Sequence, residues 1–227
     1  MALNVIMLGA PGAGKGTQAE RFAKAHRLPK ISTGDILREG IKKQLPLALV
    51  AKQKMDRGEL VDDDTIVGIV RERLKDSDTT QGFVLDGFPR TVFQAQALDE
   101  LMGKRGSDPL VIVDIVVPEV ELVRRLSTRR VCSECGANAD PQAVAATTCG
   151  KCGGTLVNRS DDNDKVVLER LRVYHESTKP VVDYYRDRPT FRAVNGAQAP
   201  DLVAHEVEAM IMDASRASLG LPLGAPR

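Results

Sequence analysis

Residues 9–17 have the sequence GAPGAGKGT, and this stretch decides the fold. An apolar run at residues 3–8 precedes it and predicts a fully buried strand. After it, Ala19, Phe22 and Ala23 recur at helical spacing. A strand, a glycine-rich loop and a helix in this order are the context of a phosphate-binding loop. The glycines let backbone N–H groups turn inward, and Lys15 adds a full positive charge. The sequence therefore predicts a nucleotide-binding site here.

The loop departs from the usual pattern at one place. Gly16 stands where Ser or Thr normally follows the lysine, and the hydroxyl comes one residue later, at Thr17. The alternative, a glycine-rich turn that binds nothing, does not explain why every part of the pattern occurs in order.

Composition limits the kind of protein. The 227 residues carry a formal net charge of +1, which does not favour a polyanionic nucleic-acid partner. No apolar run approaches the length of a membrane span. The first eight residues are apolar but lack a basic lead and a cleavage site, so we interpret them as a strand. We expect a cytoplasmic protein without disulfides.

Strand and helix patterns alternate along the chain, which predicts an α/β fold with a parallel sheet covered on both faces. The predicted strands are residues 3–8, 28–33, 83–85, 110–117 and 191–194. A closing helix is predicted over residues 201–214, and the residues after Ser218 are predicted to be frayed.

Asp86 directly follows the predicted strand at 83–85. If this strand neighbours the first one, the carboxylate lies beside the phosphate loop. It could then hold Mg²⁺, directly or through water. The alternative is an aspartate that caps a turn.

Several arginines fall at or near the ends of predicted elements, where guanidinium groups could neutralise phosphate oxygens. They are Arg38, Arg90, Arg125, Arg129, Arg159 and Arg170. Composition alone makes Arg124 and Arg130 equally eligible, and for any single arginine a solvated surface position is the simpler interpretation.

The four cysteines form two Cys-x-x-Cys pairs, Cys132 with Cys135 and Cys149 with Cys152. This spacing is typical of a structural four-thiolate zinc site. A nucleic-acid-binding ribbon is disfavoured because no aromatic residue and only three charged residues lie between Cys132 and Cys152. A pair of redox dithiols remains a second alternative.

Three stretches together resemble the adenylate kinase family: GAPGAGKGT at residues 9–17, ISTGDILR at 31–38 and LDGFPR at 85–90. With the following threonine, the last is highly specific for nucleoside monophosphate kinases. The resemblance covers residues 5–210 and is to the long-lid form, whose lid carries a four-cysteine zinc site in some members.

The resemblance implies a P-loop core with a five-stranded parallel sheet and two mobile insertions. The core would comprise residues 1–31, 62–128 and 163–227. A monophosphate-binding insertion would span residues 32–61, and a lid with the metal site would span residues 129–162.

The resemblance also implies roles for individual residues. ATP would be bound by Gly12, Ala13, Gly14, Lys15, Gly16, Thr17, Arg129 and the backbone carbonyl of Gln198. AMP would be bound by Thr33, Arg38, Glu59, Leu60, Val61, Gly87, Phe88, Pro89, Arg90, Gln94, Arg159 and Arg170. Catalytic charge would come from Lys15, Arg90, Arg125, Arg129, Arg159 and Arg170, with Asp86 organising water around Mg²⁺. Asp161 and Asp162 would form the lid hinge, and Cys132, Cys135, Cys149 and Cys152 would hold structural Zn²⁺.

Two departures from the family affect the lid. Zinc-lid relatives have a Thr-Tyr pair near the ATP ring, where this chain has Asn138 and Ala139. The segment between the two cysteine pairs is also shorter. Neither departure removes a charged group that the resemblance assigns to the reaction.

The function implied is reversible transfer of the ATP γ-phosphoryl group to AMP, with ATP, AMP and ADP as the partners of a monomeric enzyme. Alternatives are a kinase for another nucleoside monophosphate, a GTPase or motor-type ATPase, and a non-catalytic zinc-organised module that binds ATP. Thr33 and Gln94 favour an adenine acceptor, and no Asn-Lys-x-Asp motif for guanine occurs.

Overall fold

The computed structural model describes residues 2–106, 109–139, 145–159 and 162–217. Its centre is a five-stranded sheet of β1 (Leu3–Leu8), β2 (Lys30–Ser32), β3 (Gly82–Asp86), β4 (Leu110–Val116) and β7 (Phe191–Asn195). The strand order is β2-β3-β1-β4-β7, and all four neighbouring pairs are parallel. The α/β fold expected from the sequence is confirmed.

Helices cover both faces of this sheet. They are α1 (Lys15–His26), α2 (Thr33–Lys42), α3 (Pro46–Asp56), α4 (Asp63–Arg73), α5 (Val92–Arg105), α6 (Glu119–Ser127), α7 (Asp164–Val173), α8 (Lys179–Tyr185) and α9 (Pro200–Ala217). A 3₁₀ turn spans Ser77–Thr79, and a π-helical turn spans Tyr174–Thr178 between α7 and α8.

The central strands β1, β3 and β4 are largely apolar on both sides because each face packs on helices. On β1, Ile6 and Leu8 face a core built with α2, α3, α4, α5 and α8. Val5 and Met7 face a second core built with α1, α6, α7 and α9. This explains why the strand is a continuous apolar run rather than an alternating one.

The parallel register brings the carboxyl-terminal ends of all five strands to one edge of the sheet. Met7 of β1 lies opposite Asp86 of β3, and Leu8 lies opposite Asp114 of β4. On the other side of β3, Asp86 lies opposite Ser32. Ligands of open parallel sheets bind at this edge, which here also holds the glycine-rich loop.

Two segments interrupt the simple alternation of strands and covering helices. Helices α2 and α3 pack on one another between β2 and α4. Between α6 and α7, strands β5 (Arg130–Cys132) and β6 (Leu156–Asn158) form a separate antiparallel pair. They fall within the predicted insertions 32–61 and 129–162, whose boundaries remain a prediction.

The sequence analysis did not predict α3, α5, α8 or the β5–β6 pair. The start of α5 does have a local signal, because Thr91 precedes Gln94 with the spacing of a capping box and its Oγ1 accepts the Gln94 N–H at 3.2 Å. The predicted frayed tail after Ser218 lies outside the described residues.

Candidate functional site

The glycine-rich loop joins β1 to α1 with three glycines at positive φ, of which the first is Gly9 at 133°. Gly12 has φ 86° and Gly14 has φ 99°. A Cβ on Gly12 would lie 3.0 Å from the carbonyl oxygen of Leu122, so a larger residue would clash with α6. Gly14 is the N-cap of α1 and offers no side-chain acceptor. The first N–H groups of α1 are thus available to an anion.

Lys15 begins α1 and folds back on the loop. Its Nζ donates to the carbonyl oxygens of Gly9 at 2.7 Å and Ala10 at 2.8 Å. Burial lowers the pKa of Lys15 to about 8, against the opposing effect of Asp86 and with smaller contributions from Arg90, Arg170 and Arg129. Four further charged groups therefore lie near enough to act on Lys15. Three of them are arginines, the charge that a bound polyphosphate would need there.

Asp86 ends β3 next to the loop, as predicted for a strand that neighbours β1. A Cβ on Gly16 would lie 3.0 Å from Asp86 Oδ2. This contact explains the departure at Gly16, because the Asp86 carboxylate leaves little room for a serine or threonine side chain.

The residues predicted to bind the acceptor meet around the backbone of Gly87. Its carbonyl oxygen accepts hydrogen bonds from Thr33 Oγ1 at 3.0 Å and from Arg90 Nε at 2.8 Å. The Arg90 N–H donates to Gln94 Oε1 at 2.8 Å. Phe88 and Pro89 are buried below them. Thr33, Gly87, Arg90 and Gln94 are thus one connected group.

The remaining acceptor-side residues lie on or after the α2–α3 segment. Arg38 pairs with Asp35 at 2.5 Å and Glu59 pairs with Arg57 at 2.7 Å. Leu60 is half-buried and Val61 is buried. A Cβ on the preceding Gly58 would lie 3.0 Å from Arg170 Cγ, so this segment contacts α7.

Three charged side chains form a compact group in or near residues 129–162, the predicted lid, which we call the lid segment. Asp162, whose side chain is 2% exposed, accepts from Arg129 Nε at 2.7 Å and Nη2 at 2.6 Å. It also accepts from Arg170 Nη1 at 2.7 Å. The Asp162 N–H donates to the carbonyl oxygen of Arg159 at 3.3 Å. Asp161, the other predicted hinge residue, lies outside the described residues.

The structure distinguishes among arginines that composition alone left equally eligible as phosphate ligands. Arg125 is held by Glu121 at 2.8 Å and donates to the carbonyl oxygen of Gly196 at 3.0 Å. Arg124 points outward, with its side chain 67% exposed, and its guanidinium pairs with Glu121 at 2.7 Å. Arg130 donates to the carbonyl oxygen of Ala146 within the lid segment.

Gln198 follows β7, and its side chain is engaged locally. Its Nε2 donates to the carbonyl oxygen of Asn195 at 3.2 Å and to Glu206 Oε2 at 2.8 Å. These bonds orient the turn at residues 195–198. Arg125 contacts the same turn at the carbonyl oxygen of Gly196.

The four cysteines are free thiols whose Sγ atoms lie within 4.8 Å of one another. The Sγ atoms of Cys132 and Cys152 are 3.4 Å apart, and those of Cys135 and Cys149 are 3.7 Å apart. Four sulfurs around one Zn²⁺ at about 2.3 Å would be separated by about 3.8 Å, so the donor set fits the metal. The Cys135 and Lys151 N–H groups point at Cys132 Sγ and Cys149 Sγ, as outer-shell donors to thiolates do.

Lys42, at the end of α2, joins the α2–α3 segment to the lid segment. Its Nζ donates to the carbonyl oxygens of Ser133 at 2.9 Å and Glu134 at 3.2 Å. Both acceptors lie between Cys132 and Cys135. The sequence analysis did not identify Lys42, and an exposed lysine carries no local signal of a long-range partner.

The sequence analysis assigned no binding or catalytic role to two further acidic residues near the site. Asp63, in the first turn of α4, accepts from Gln94 Nε2 at 2.8 Å. Asp114 is the lone charge of β4, and its buried Oδ1 has no hydrogen-bond partner among the described residues. Burial raises the pKa of Asp114, and Lys15 and Arg186 oppose that effect.

Among the helices in the described ranges, none has both the length and the apolar character that crossing a membrane requires.

Comparisons with known proteins agree with one another. A family model described as adenylate kinase matches residues 7–190. The chain is similar to an adenylate kinase of Archaeoglobus fulgidus, with 46% identity over 92% of this chain and 98% of the relative. It is similar to adenylate kinases of Bacillus cytotoxicus (45% identity, 92% and 98%) and Syntrophobacter fumaroxidans (44% identity, 92% and 100%).

Proposed function

The chain belongs to the adenylate kinase family of phosphotransferases, and from that premise we propose that it catalyses the reversible, Mg²⁺-dependent transfer of the ATP γ-phosphoryl group to AMP, giving two ADP. The observation that carries the proposal is that Arg90, beside Gly87, and the pair Arg129 and Arg170, joined by Asp162, lie near enough to Lys15 for their charges to act on it. A donor and an acceptor that are both anionic need such a group of positive charges where their phosphates meet.

On the donor side, the backbone of residues 12–17 and Lys15 bind the ATP phosphates. The open N-terminus of α1 supports this assignment, as does the position of Lys15 Nζ on the loop carbonyls. Arg125, Arg129 and the backbone at Gln198 complete the ATP site. Asp86 organises the water around Mg²⁺, which neutralises phosphate charge when bound.

On the acceptor side, the connected group of Thr33, Gly87, Arg90 and Gln94 binds AMP. Residues 59–61 border the base, and Arg38, Arg159 and Arg170 bind its phosphate. Arg90 is held at three points, since its Nε donates to Gly87, its N–H donates to Gln94 and its carbonyl accepts from Thr178 Oγ1 at 2.9 Å. Because these bonds order the Arg90 backbone and Nε before the substrate arrives, binding a phosphate costs little further conformational entropy.

The transfer needs no covalent enzyme intermediate, because the AMP phosphate oxygen is itself the nucleophile. Catalysis consists of aligning the two nucleotides and neutralising the charge of the transferring group. Water is the competing acceptor. The insertions 32–61 and 129–162 therefore close over the site and exclude it. Asp161 and Asp162 act at the lid hinge, and the four cysteines hold structural Zn²⁺ that stiffens the lid.

We assign the enzyme to the cytoplasm, where four free thiols stay reduced, and expect it to act as a monomer.

One assay tests the reaction and the acceptor together. ADP formation from ATP and Mg²⁺ is measured with AMP, GMP, CMP and UMP in turn. We expect AMP to be the preferred acceptor. A preference for another monophosphate would replace the proposed substrate, and ATP binding without product from any acceptor would support the non-catalytic alternative.

Arg90→Ala tests the carrying observation. We expect ADP formation to fall on the order of 10³-fold, because one well-placed arginine contributes at least that much to phosphoryl transfer. Arg124→Ala is the matched control, since Arg124 is exposed on α6. A variant at Arg90 as active as the Arg124 control would remove the role assigned to Arg90.

A further inference from the structure

Gln94 is a buried polar residue, 2% exposed, and its side-chain amide is held at both ends. Oε1 accepts the backbone N–H of Arg90, and Nε2 donates to Asp63 Oδ1, both at 2.8 Å. Each of these bonds satisfies one position of the amide and leaves one N–H and one oxygen lone pair.

Asp63 is itself tied to the start of α5. Its second oxygen, Oδ2, accepts from Thr91 Oγ1 at 3.0 Å. The same Thr91 hydroxyl accepts the backbone N–H of Gln94 and caps the helix. The Asp63 carboxylate thus connects the first turn of α4 to the side chain and the backbone of the first turn of α5.

The chemistry of Asp63 determines which way the amide of Gln94 faces. An ionised carboxylate accepts hydrogen bonds and cannot donate them, so the NH₂ group of Gln94 must face it. The Arg90 N–H imposes the same choice from the other end, because it can meet only an oxygen. The free lone pair of Oε1 and the free N–H of Nε2 therefore have fixed positions.

A fixed amide distinguishes between purines. Adenine carries a donor amino group at its sixth position, where guanine carries an acceptor oxygen. The lone pair of Oε1 suits the adenine amino group and repels the guanine oxygen. Discrimination of this kind is strong where a buried polar group would otherwise be left unpaired.

We propose that Asp63 is a positioning residue that fixes the amide of Gln94 and so determines the preference for an adenine over a guanine acceptor. The inference rests on the proposed function and adds to it a residue that acts through Gln94 without touching the substrate. Because Asp63 is the second residue after the predicted insertion 32–61, it also places the determinant of the base where that insertion joins the core.

The test compares Asp63→Ala and Asp63→Asn with the matched control Asp64→Ala. Asp64 is the neighbouring acid in the same first turn of α4, and it is exposed. For each protein, kcat and KM are measured for AMP, for GMP and for ATP, and the folded fraction is checked by circular dichroism and melting.

In Asp63→Ala we expect KM for AMP to rise roughly tenfold, the typical effect of losing a hydrogen bond to a charged group. The AMP-to-GMP ratio of kcat/KM should fall by a similar factor, while KM for ATP stays unchanged. Asp63→Asn keeps an acceptor oxygen and should recover KM for AMP to within about threefold of wild type. Asp64→Ala should match wild type.

A double-mutant cycle separates positioning from general destabilisation. If Asp63 acts through Gln94, then adding Asp63→Ala to Gln94→Leu should leave KM for AMP and the AMP-to-GMP ratio where Gln94→Leu alone puts them. Additive effects, equal rises of KM for AMP and ATP, or the same change in Asp64→Ala would overturn the proposal. Wild-type enzyme that does not use AMP would instead overturn the proposed function.

Discussion

Asp162 shows how a single residue can prepare two others for a ligand. Its carboxylate is nearly buried and pairs with both Arg129 and Arg170, which would otherwise repel each other in the absence of phosphates. Breaking a buried ion pair from one side is costly because the remaining charge keeps its desolvation without a partner. Asp162 therefore stabilises the arginines in the free protein.

From this we predict that Asp162→Asn destabilises the ligand-free protein by about 3 kcal/mol. Added nucleotides should then raise its Tm more than they raise the wild-type Tm, because their phosphates replace the missing carboxylate. Asp99→Asn breaks a remote pair with Arg188 and is the control. Equal gains in Tm for both variants would contradict the prediction.

Lys15 gives a prediction about pH. Burial lowers its pKa to about 8, so the ammonium group loses its proton as pH rises through that value. The neutral amine cannot attract ATP phosphates, and kcat/KM for ATP should fall above pH about 8, since this parameter reports groups of the free enzyme. Bound phosphates favour the charged form, so kcat at saturating ATP should stay level to higher pH.

The check is a pH profile of both parameters in a buffer of constant ionic strength. A value of kcat/KM for ATP that stays flat from about pH 7 to about pH 9.5 would rule out Lys15 as a titrating phosphate ligand.

At the scale of elements, the described residues of the lid segment form almost no core of their own. β5 and β6 are three residues each, and the buried groups nearby include Cys132 and Cys149. So small a unit needs a metal or another cross-link to hold its structure. The four thiols are arranged as a zinc ion requires and would supply this cross-link when the metal is bound.

We predict that removing the metal with a chelator, or changing Cys149→Ser, lowers Tm on the order of 10 °C. Activity at mild temperature should fall much less, because the role proposed for the thiols is to hold the metal and not to bind phosphate. Calorimetry and the coupled assay on the same samples check this, with Ser133→Ala as a control inside the same loop. A chelated protein with unchanged melting and lost turnover would contradict it.

At the scale of the whole molecule, the parallel register collects residues from distant parts of the chain at one edge of the sheet. The α2–α3 segment and the lid segment meet where Lys42 Nζ donates to two carbonyl oxygens of the Cys132–Cys135 loop. This contact connects the two segments directly, so it would favour the closed arrangement that the proposed function requires.

We predict that Lys42→Ala raises KM for both AMP and ATP about fivefold, because an exposed hydrogen-bonded contact contributes about 1 kcal/mol. Steady-state kinetics measure this, and kcat should not fall. Lys43→Ala, which removes a neighbouring lysine paired with Glu39, is the matched control. A change confined to one substrate would show that Lys42 does not connect the segments.

The sequence by itself determined the phosphate loop, the alternation of strands and helices, and the four-cysteine set, because glycine conformations, apolar periodicity and ligand spacing are written over a few neighbouring residues. It also contained the cap of α5 at Thr91. Only the tertiary structure decided that Arg129 and Arg170 share Asp162 while Arg124 faces solvent, and that Asp63 holds Gln94. Such partners are set by strand register and helix packing, which bring together side chains tens of residues apart and leave no local pattern.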